Sequence, residues 1–464
     1  MTVTTLVILV VIFMLVLLAL RMPVAFALAL SGALGLYFLR GDSFATSSLG
    51  SLPFTETATF SLTIIPMFIL MGMFAVKAKI AEQVYRVAAF GFRNFPGGLG
   101  VATVMACAGF AAVSGSSIGT AATMSQLSVG EMRKHGYPVS MATATVAVAG
   151  TLGVLIPPSV ILVLYAIMTG ESVARVLAAG IIPGIMSAFA YAIYIVIASR
   201  KTRRIADAEL AEAVAAAAAR DRLTGENTAA DIPKDLHEGT TWSNLPMRGV
   251  VRVGILFFIV LGGMYSGIFT PTESAAIGAL AAGIMLVMER MKEGPKATVQ
   301  ALVEALKETA GTTSMVFAII VGSSILSVFF ITARVPQMLT EAIVGAGWNP
   351  SITMAILLLA LVPLGMALES ISILVITVPL LYPIATELGF NGIWLAVLIV
   401  KLIEIGLVTP PVGINCFVVA GATGVKVTEI FRGVLPFVIV ELILVAILFT
   451  FPQLSLWLPS LVTF

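Results

Sequence analysis

Cysteine and histidine are nearly absent from this chain, at two residues each in 464. Cys107 and Cys416 both lie in apolar runs, without the spacing of a metal site or a disulfide framework, so both read as inert buried thiols. His135 and His237 fall in separate loops with no ligand-spaced partner, and no Gly-Lys-Ser/Thr phosphate loop occurs. No enzyme constellation remains. The serines lack a nearby base, which argues against an intramembrane hydrolase, and nothing in the chain would hydrolyse ATP.

Charge is equally scarce. Charged residues make up 11% of the chain against 59% apolar ones, far outside the balance of soluble domains. The reading is an all-α polytopic membrane protein. A formal charge of +2 with no basic patch interleaved with aromatics gives no reason to expect nucleic acid. Val3 to Leu20 has neither a basic leader nor a small-residue cleavage site, so it is expected to be a retained span.

A helix needs about 20 apolar residues to cross the roughly 30 Å hydrocarbon layer. On that basis ten spans are expected. In the first half these are Val3 to Leu20, Pro23 to Leu39, Phe60 to Val76, Val139 to Met168 and Leu177 to Ala198. In the second they are Val253 to Phe269, Glu273 to Met288, Thr309 to Ile331, Ile393 to Val419 and Ile430 to Phe451. Lys77 to Pro96 reads as a polar connection. Two further apolar stretches, 97–129 and 352–388, are broken at Ser114-Gly115-Ser116-Ser117 and at Glu369-Ser370-Ile371-Ser372, and each is expected to be a re-entrant hairpin. Arg200 to Arg252 is the one extended hydrophilic region, with nine Lys/Arg and eight Asp/Glu. Within it Asp207 to Ala219 suits a surface helix and Leu223 to Glu238 a loop.

A shift of 253 positions carries Gly153 onto Gly406, Pro157-Pro158 onto Pro410-Pro411, Pro183 onto Pro436 and Ser117-Ile118 onto Ser370-Ile371. The chain therefore divides into a first repeat at 1–199 with broken span 139–168, a cytoplasmic linker at 200–252, and a second repeat at 253–464 with broken span 393–419. Basic residues collect around the first hairpin, at Lys201 to Arg204 and at Arg290 to Lys296, which places these loops in the cytoplasm. The N-terminus then lies outside, the first hairpin opens inward and the second outward. Five spans and one hairpin per half invert the second copy, giving an inverted-topology repeat.

An unwound backbone is tolerated in hydrocarbon only where protein or a watery cavity satisfies it, so four symmetric breaks imply a shared polar centre. Helix N-termini there favour anions, and freed carbonyls and hydroxyls suit a small hard cation. Ser114, Ser116 and Ser117 at one tip, Ser370 and Ser372 at the other, and Thr151, Thr409 and Asn415 near the proline breaks are the candidate ligands. The expectation is two monovalent-cation sites flanking an organic-anion site. Among the buried ionisable residues, Glu404 has Lys401 three positions earlier, at pairing distance on a helix, so an ion pair and a coupling role both stay open. Glu369 stands at the second tip, to hold a cation or cap a turn; Glu273 reads as a helix cap; Glu441 has no evident partner.

Four motifs carry a family resemblance: Ser114 to Ser117 with Thr120-Ala121-Ala122-Thr123; Leu155-Ile156-Pro157-Pro158-Ser159; Tyr265-Ser266-Gly267-Ile268-Phe269-Thr270-Pro271-Thr272-Glu273; and Glu404-Ile405-Gly406-Leu407-Val408-Thr409-Pro410-Pro411-Val412-Gly413. Together they resemble the large membrane subunit of tripartite ATP-independent periplasmic (TRAP) transporters, over nearly the whole chain. The resemblance implies a multi-pass protein of the bacterial inner membrane, a sodium-driven (Na+) elevator importing a C4-dicarboxylate or related organic acid. It implies two protein partners: a small four-helix membrane subunit, expected as a separate chain, and a periplasmic substrate-binding protein. By position it puts sodium near Ser114, Ser116 and Gly150 in one half and near Glu369, Ser370, Gly406 and Thr409 in the other. The acid would then meet Ser117, Thr151, Pro157, Ser372, Pro410 and Asn415. The segment Ile205 to Leu245 is longer than the family pattern and reads as a solvated linker. A stand-alone sodium- or proton-coupled carboxylate transporter is the rival reading, and a channel or membrane scaffold a weaker one.

Overall fold

The computed structural model describes residues 2–224, 245–345 and 349–462, and the regular structure among them is helical. The first half runs α1 (Val3–Ala19), α2 (Val24–Arg40), α3 (Asp42–Thr57), α4 (Ile64–Lys77), α5 (Ile80–Gly91), α6 (Gly98–Ser114), α7 (Ser117–Met124), α8 (Gly130–Lys134), α9 (Val139–Ala149), α10 (Leu152–Leu155), α11 (Val160–Thr169) and α12 (Val173–Thr224). The second runs α13 (Met247–Phe257), α14 (Gly263–Tyr265), α15 (Pro271–Arg290), α16 (Pro295–Thr332), α17 (Val335–Gly345), α18 (Pro350–Leu359), α19 (Leu361–Ala367), α20 (Ser370–Glu387), α21 (Gly392–Val408), α22 (Ile414–Thr423), α23 (Val427–Thr450) and α24 (Gln453–Ser460).

Local chemistry sets many of these boundaries. Thr270 and Glu273 form a reciprocal capping box at α15, with Pro271 at the first helical position, so Glu273 caps as expected. The Asn391 side-chain oxygen accepts from the Ile393 and Trp394 amides to start α21, and Ser159 accepts from the Leu162 amide to start α11. Gly115 turns the first hairpin at a φ of 60°, a left-handed conformation that a side chain would strain.

Among the described residues, eight helices are long and apolar enough to cross a membrane. The first two expected spans are shorter apolar helices of 17 residues each. The expected fourth span is interrupted between α9 and α11, and the ninth between α21 and α22, each at a Pro-Pro bond in the cis form. Helix starts recur at the 253-residue offset: Val139 and Gly392, Ser117 and Ser370. Packing recurs with the halves exchanged. α2 lies on α16 as α15 lies on α4; α11 meets α20 as α22 meets α7; α9 meets α23 as α21 meets α12.

Four features depart from expectation. Lys77 to Pro96 is no plain connection: it holds α5, whose Ile80, Val84 and Tyr85 are buried while Arg86 stays outside, an amphipathic stripe at helical spacing. Asp207 to Ala219 continues α12 instead of forming a separate surface helix, and most of the expected loop, 225–238, lies outside the described residues. The eighth span begins at Pro295, making α16 38 residues and about 57 Å long at 1.5 Å per residue. Finally α3, α17 and α24 occupy stretches too short or too polar to count as spans.

Candidate functional site

The two hairpin tips meet at one cavity of about 460 Å³. Ser114 to Gly119 line it from the first tip and Glu369 to Ile371 from the second, while α4 and α16 supply the facing wall through Gly72, Met73, Thr312 and Met315. Two helix N-termini open onto it, α7 at Ser117 and α20 at Ser370, so the positive ends of two helix dipoles face the same space.

The first tip is internally ordered. The Thr120 hydroxyl donates to the Ser116 carbonyl at 2.7 Å. Its single proton being used, the 2.8 Å contact with Ser114 requires Ser114 to donate, which leaves the Ser114 lone pairs as acceptors. The Ser116 hydroxyl accepts from the Gly119 amide and caps α7. Behind the tip, a Cβ at Gly115 would sit 3.0 Å from the Pro158 carbonyl, and one at Gly153 would sit 2.8 Å from the Ser116 carbonyl. The tip therefore rests directly on the first broken span.

Five of the residues singled out from sequence line the cavity: Ser114, Ser116, Ser117, Glu369 and Ser370. Glu369 makes no side-chain cap to α20. Gly150 lies behind α7, where an added Cβ would meet Ala121 at 2.9 Å. Pro157 is buried, whereas its counterpart Pro410 is exposed. Gly406 packs backbone to backbone on Gly365 of the second hairpin, and a Cβ there would lie 2.4 Å from the Gly365 Cα. Thr409 donates back to the Ile405 carbonyl, and Ser372 is fully buried beside the tip. Thr151 donates to the Val148 carbonyl at 2.8 Å and lines a different, buried gap. Asn415 is fully buried and donates to the Ala147 carbonyl at 3.4 Å, tying the second broken span to α9.

Sequence reasoning missed two parts of the site. Glu308 at the cavity edge pairs with Lys77 at 2.8 Å, and Glu304 pairs with the same lysine at 3.1 Å, so α4 and α16 are pinned together beside the opening. A second cavity of about 440 Å³ lies further along α16, between Ser323, Ser324 and Ser327 and the α20 residues Pro379 and Tyr382. In the wall of this second cavity the Ser323 hydroxyl donates to the Val375 carbonyl at 2.9 Å. That carbonyl is available because Pro379, four residues on, has no amide proton to give it. The proline was visible in the sequence; the serine on another helix that answers it was not.

Glu441 does have a partner. Its carboxylate lies 2.5 Å from the Lys401 ammonium, which also contacts Glu404 and the Ser187 hydroxyl at 3.0 Å each. Lys401, Glu404 and Glu441 are 0%, 1% and 3% exposed.

Comparison with known proteins bears on this arrangement. Residues 11–454 match the family described as "Tripartite ATP-independent periplasmic transporter, DctM component". The chain is 32% identical to the C4-dicarboxylate TRAP transporter large permease protein DctM of Pseudomonas aeruginosa, covering 94% of each chain. It is 29% identical to the sialic acid TRAP transporter large permease protein SiaM of Vibrio cholerae, covering 87% of each. In fold it is similar to the crystal structure of the Alcanivorax borkumensis YdaH transporter, with a TM-score of 0.60 at 15% identity over 89% of this chain and 90% of that one.

Proposed function

This chain belongs to the DctM family of tripartite ATP-independent periplasmic transporters, and from that premise we propose that it carries a carboxylate across the inner membrane together with sodium ions. The observation that carries this reading is the cavity where both hairpin tips converge: two helix N-termini for an anion, ringed by serine hydroxyls and freed carbonyls for a hard cation. The two relatives named above have C4-dicarboxylate and sialic acid in their names, both carboxylic acids. A carboxylate is one of the anions that paired helix N-termini favour.

One sodium ion sits at Ser114 and Ser116 with Gly150 behind them, where the oxygen of Ser114 is left as an acceptor. The other sits at Glu369 and Ser370, backed by the Gly406 to Thr409 segment that Gly365 holds against the hairpin. The carboxylate occupies the cavity between them, at Ser117 and the α20 N-terminus. The exchanged helix pairings support an inverted repeat of residues 1–199 and 253–464 joined by a linker at 200–252. Two cavities along one wall helix support alternating access, in which the hairpins and broken spans move against α4 and α16. A periplasmic binding protein delivers the acid and a small membrane subunit completes the permease.

Uptake of labelled dicarboxylate into proteoliposomes holding the chain and its small subunit tests the reading. Accumulation is expected only with both an inward sodium gradient and the binding protein. Ser116→Leu or Ser370→Leu should abolish it while leaving membrane insertion intact. Undiminished uptake without sodium, or in both leucine variants, would sink the assignment.

A further inference from the structure

The cavity at the hairpin tips is polar where the tips meet and apolar on the wall that faces them. One face of α4 lines it with Ile69, Gly72, Met73 and Val76, spaced at three and four residues, and one face of α16 lines it with Thr312, Met315 and Val316. Ile118 and Ile371, each the second residue of its helix, carry apolar surface up to the starts of α7 and α20. At the edge of the wall the Lys77 ammonium is held by Glu304 at 3.1 Å and by Glu308 at 2.8 Å, so this trio carries a net negative charge.

The groups missing from the lining sort the acids that could fill it. Among the described residues neither lysine nor arginine lines the cavity, and its charged lining is the carboxylates of Glu308 and Glu369. A second carboxylate on the cargo, directed away from the tips, would meet methionine and isoleucine side chains or the Glu308 charge. A sugar acid would bring several hydroxyls to a wall whose one hydroxyl is that of Thr312. Burying such groups without partners is costly. A four-carbon diacid is also small for a space of about 460 Å³, since pockets of about 300–1,000 Å³ enclose much larger ligands. An apolar body meets the opposite conditions: Met73 and Met315 are unbranched and polarizable, and they adapt to aliphatic or aromatic groups.

Resting on the carboxylate reading above, we infer that the cargo of this site is a carboxylic acid with one charged end and an apolar aliphatic or aromatic body. Its carboxylate lies at the hairpin tips and its body against Met73 and Met315. The two methionines set specificity twice over, by the contact they give the body and by withholding a partner from any second polar end. A short diacid remains a weaker cargo, bound through one carboxylate.

Isothermal titration calorimetry on the full chain in nanodiscs, with any subunit that co-purifies and without a binding protein, measures the preference of the permease itself. In sodium buffer 3-phenylpropanoate should bind at least about tenfold more tightly than succinate or gluconate. Empty nanodiscs correct for partition into lipid. Met315→Lys should narrow that ratio by tightening succinate and weakening 3-phenylpropanoate, and Met73→Lys should do the same from the facing helix, whereas Met315→Leu should preserve it. Succinate or gluconate binding as tightly as 3-phenylpropanoate, or an unchanged ratio in both lysine variants, would overturn the inference and leave the carboxylate reading standing. Failure of all three acids to bind in the presence of sodium would overturn that reading, and the inference with it.

Discussion

The Ser323 hydroxyl is a buried donor whose loss should be felt only because a proline stands four residues beyond its acceptor. Ser323→Ala leaves the buried Val375 carbonyl without its donor where α16 meets α20. An orphaned buried acceptor costs about 1–3 kcal/mol. Pro379→Ala restores the helical amide that should bond that carbonyl, so the serine becomes redundant. In the Pro379→Ala background the Ser323→Ala cost should therefore fall close to zero, giving a coupling of about 1–2 kcal/mol between two residues on different helices. Chemical unfolding of the four proteins of this cycle in mixed micelles measures it. Equal costs of Ser323→Ala in both backgrounds would refute the account of why the serine is there.

Gly406→Ala puts a Cβ 2.4 Å from the Gly365 Cα, where carbon contacts want about 3.5–4.0 Å. The hairpin must part from the broken span, at a cost of about 1–3 kcal/mol. Under the proposed function sodium-dependent uptake should fall with it, whereas Gly421→Ala, with nothing within 4 Å of its Cβ, should stay neutral in both assays. Glu289 receives Arg252 at 2.8 Å and Arg248 at 3.2 Å, but Arg252 is nearly buried and Arg248 is half exposed. Arg252→Met should cost about 1–3 kcal/mol, because Glu289 loses its most buried partner while keeping Arg248 and, at 3.5 Å, Lys292. Arg248→Met should cost no more than about 1 kcal/mol. Equal losses in unfolding measurements would mean that burial does not set the difference.

What the sequence disclosed was whatever repeats or interrupts. The Pro157-Pro158 and Pro410-Pro411 breaks and the Ser114 and Glu369 tips were legible because each disrupts an apolar run, and their doubling marked them as one system. Counting apolar runs could not find α5, α3 or α17, which are short and half polar. The spacing of Ile80, Val84 and Tyr85 already held the signal for α5. Helical spacing paired Lys401 with Glu404 but was blind to Glu441, 40 residues away on another helix. The same limit hid Ser323 from Val375 and Gly365 from Gly406. A single chain shows what one helix offers and does not show which helix will answer.

The wall shared by the two cavities has a consequence for redesign. Thr312 and Met315 line one chamber and Ser323 and Ser327 the other, all on the unbroken α16. Thr312 and Ser327 stand about 22 Å apart along its axis. Under the proposed alternation the same cargo must fit both chambers in turn. An engineer who enlarges one alone makes a container that fills from one side and cannot be emptied on the other. A new cargo requires matched edits at both ends of this helix.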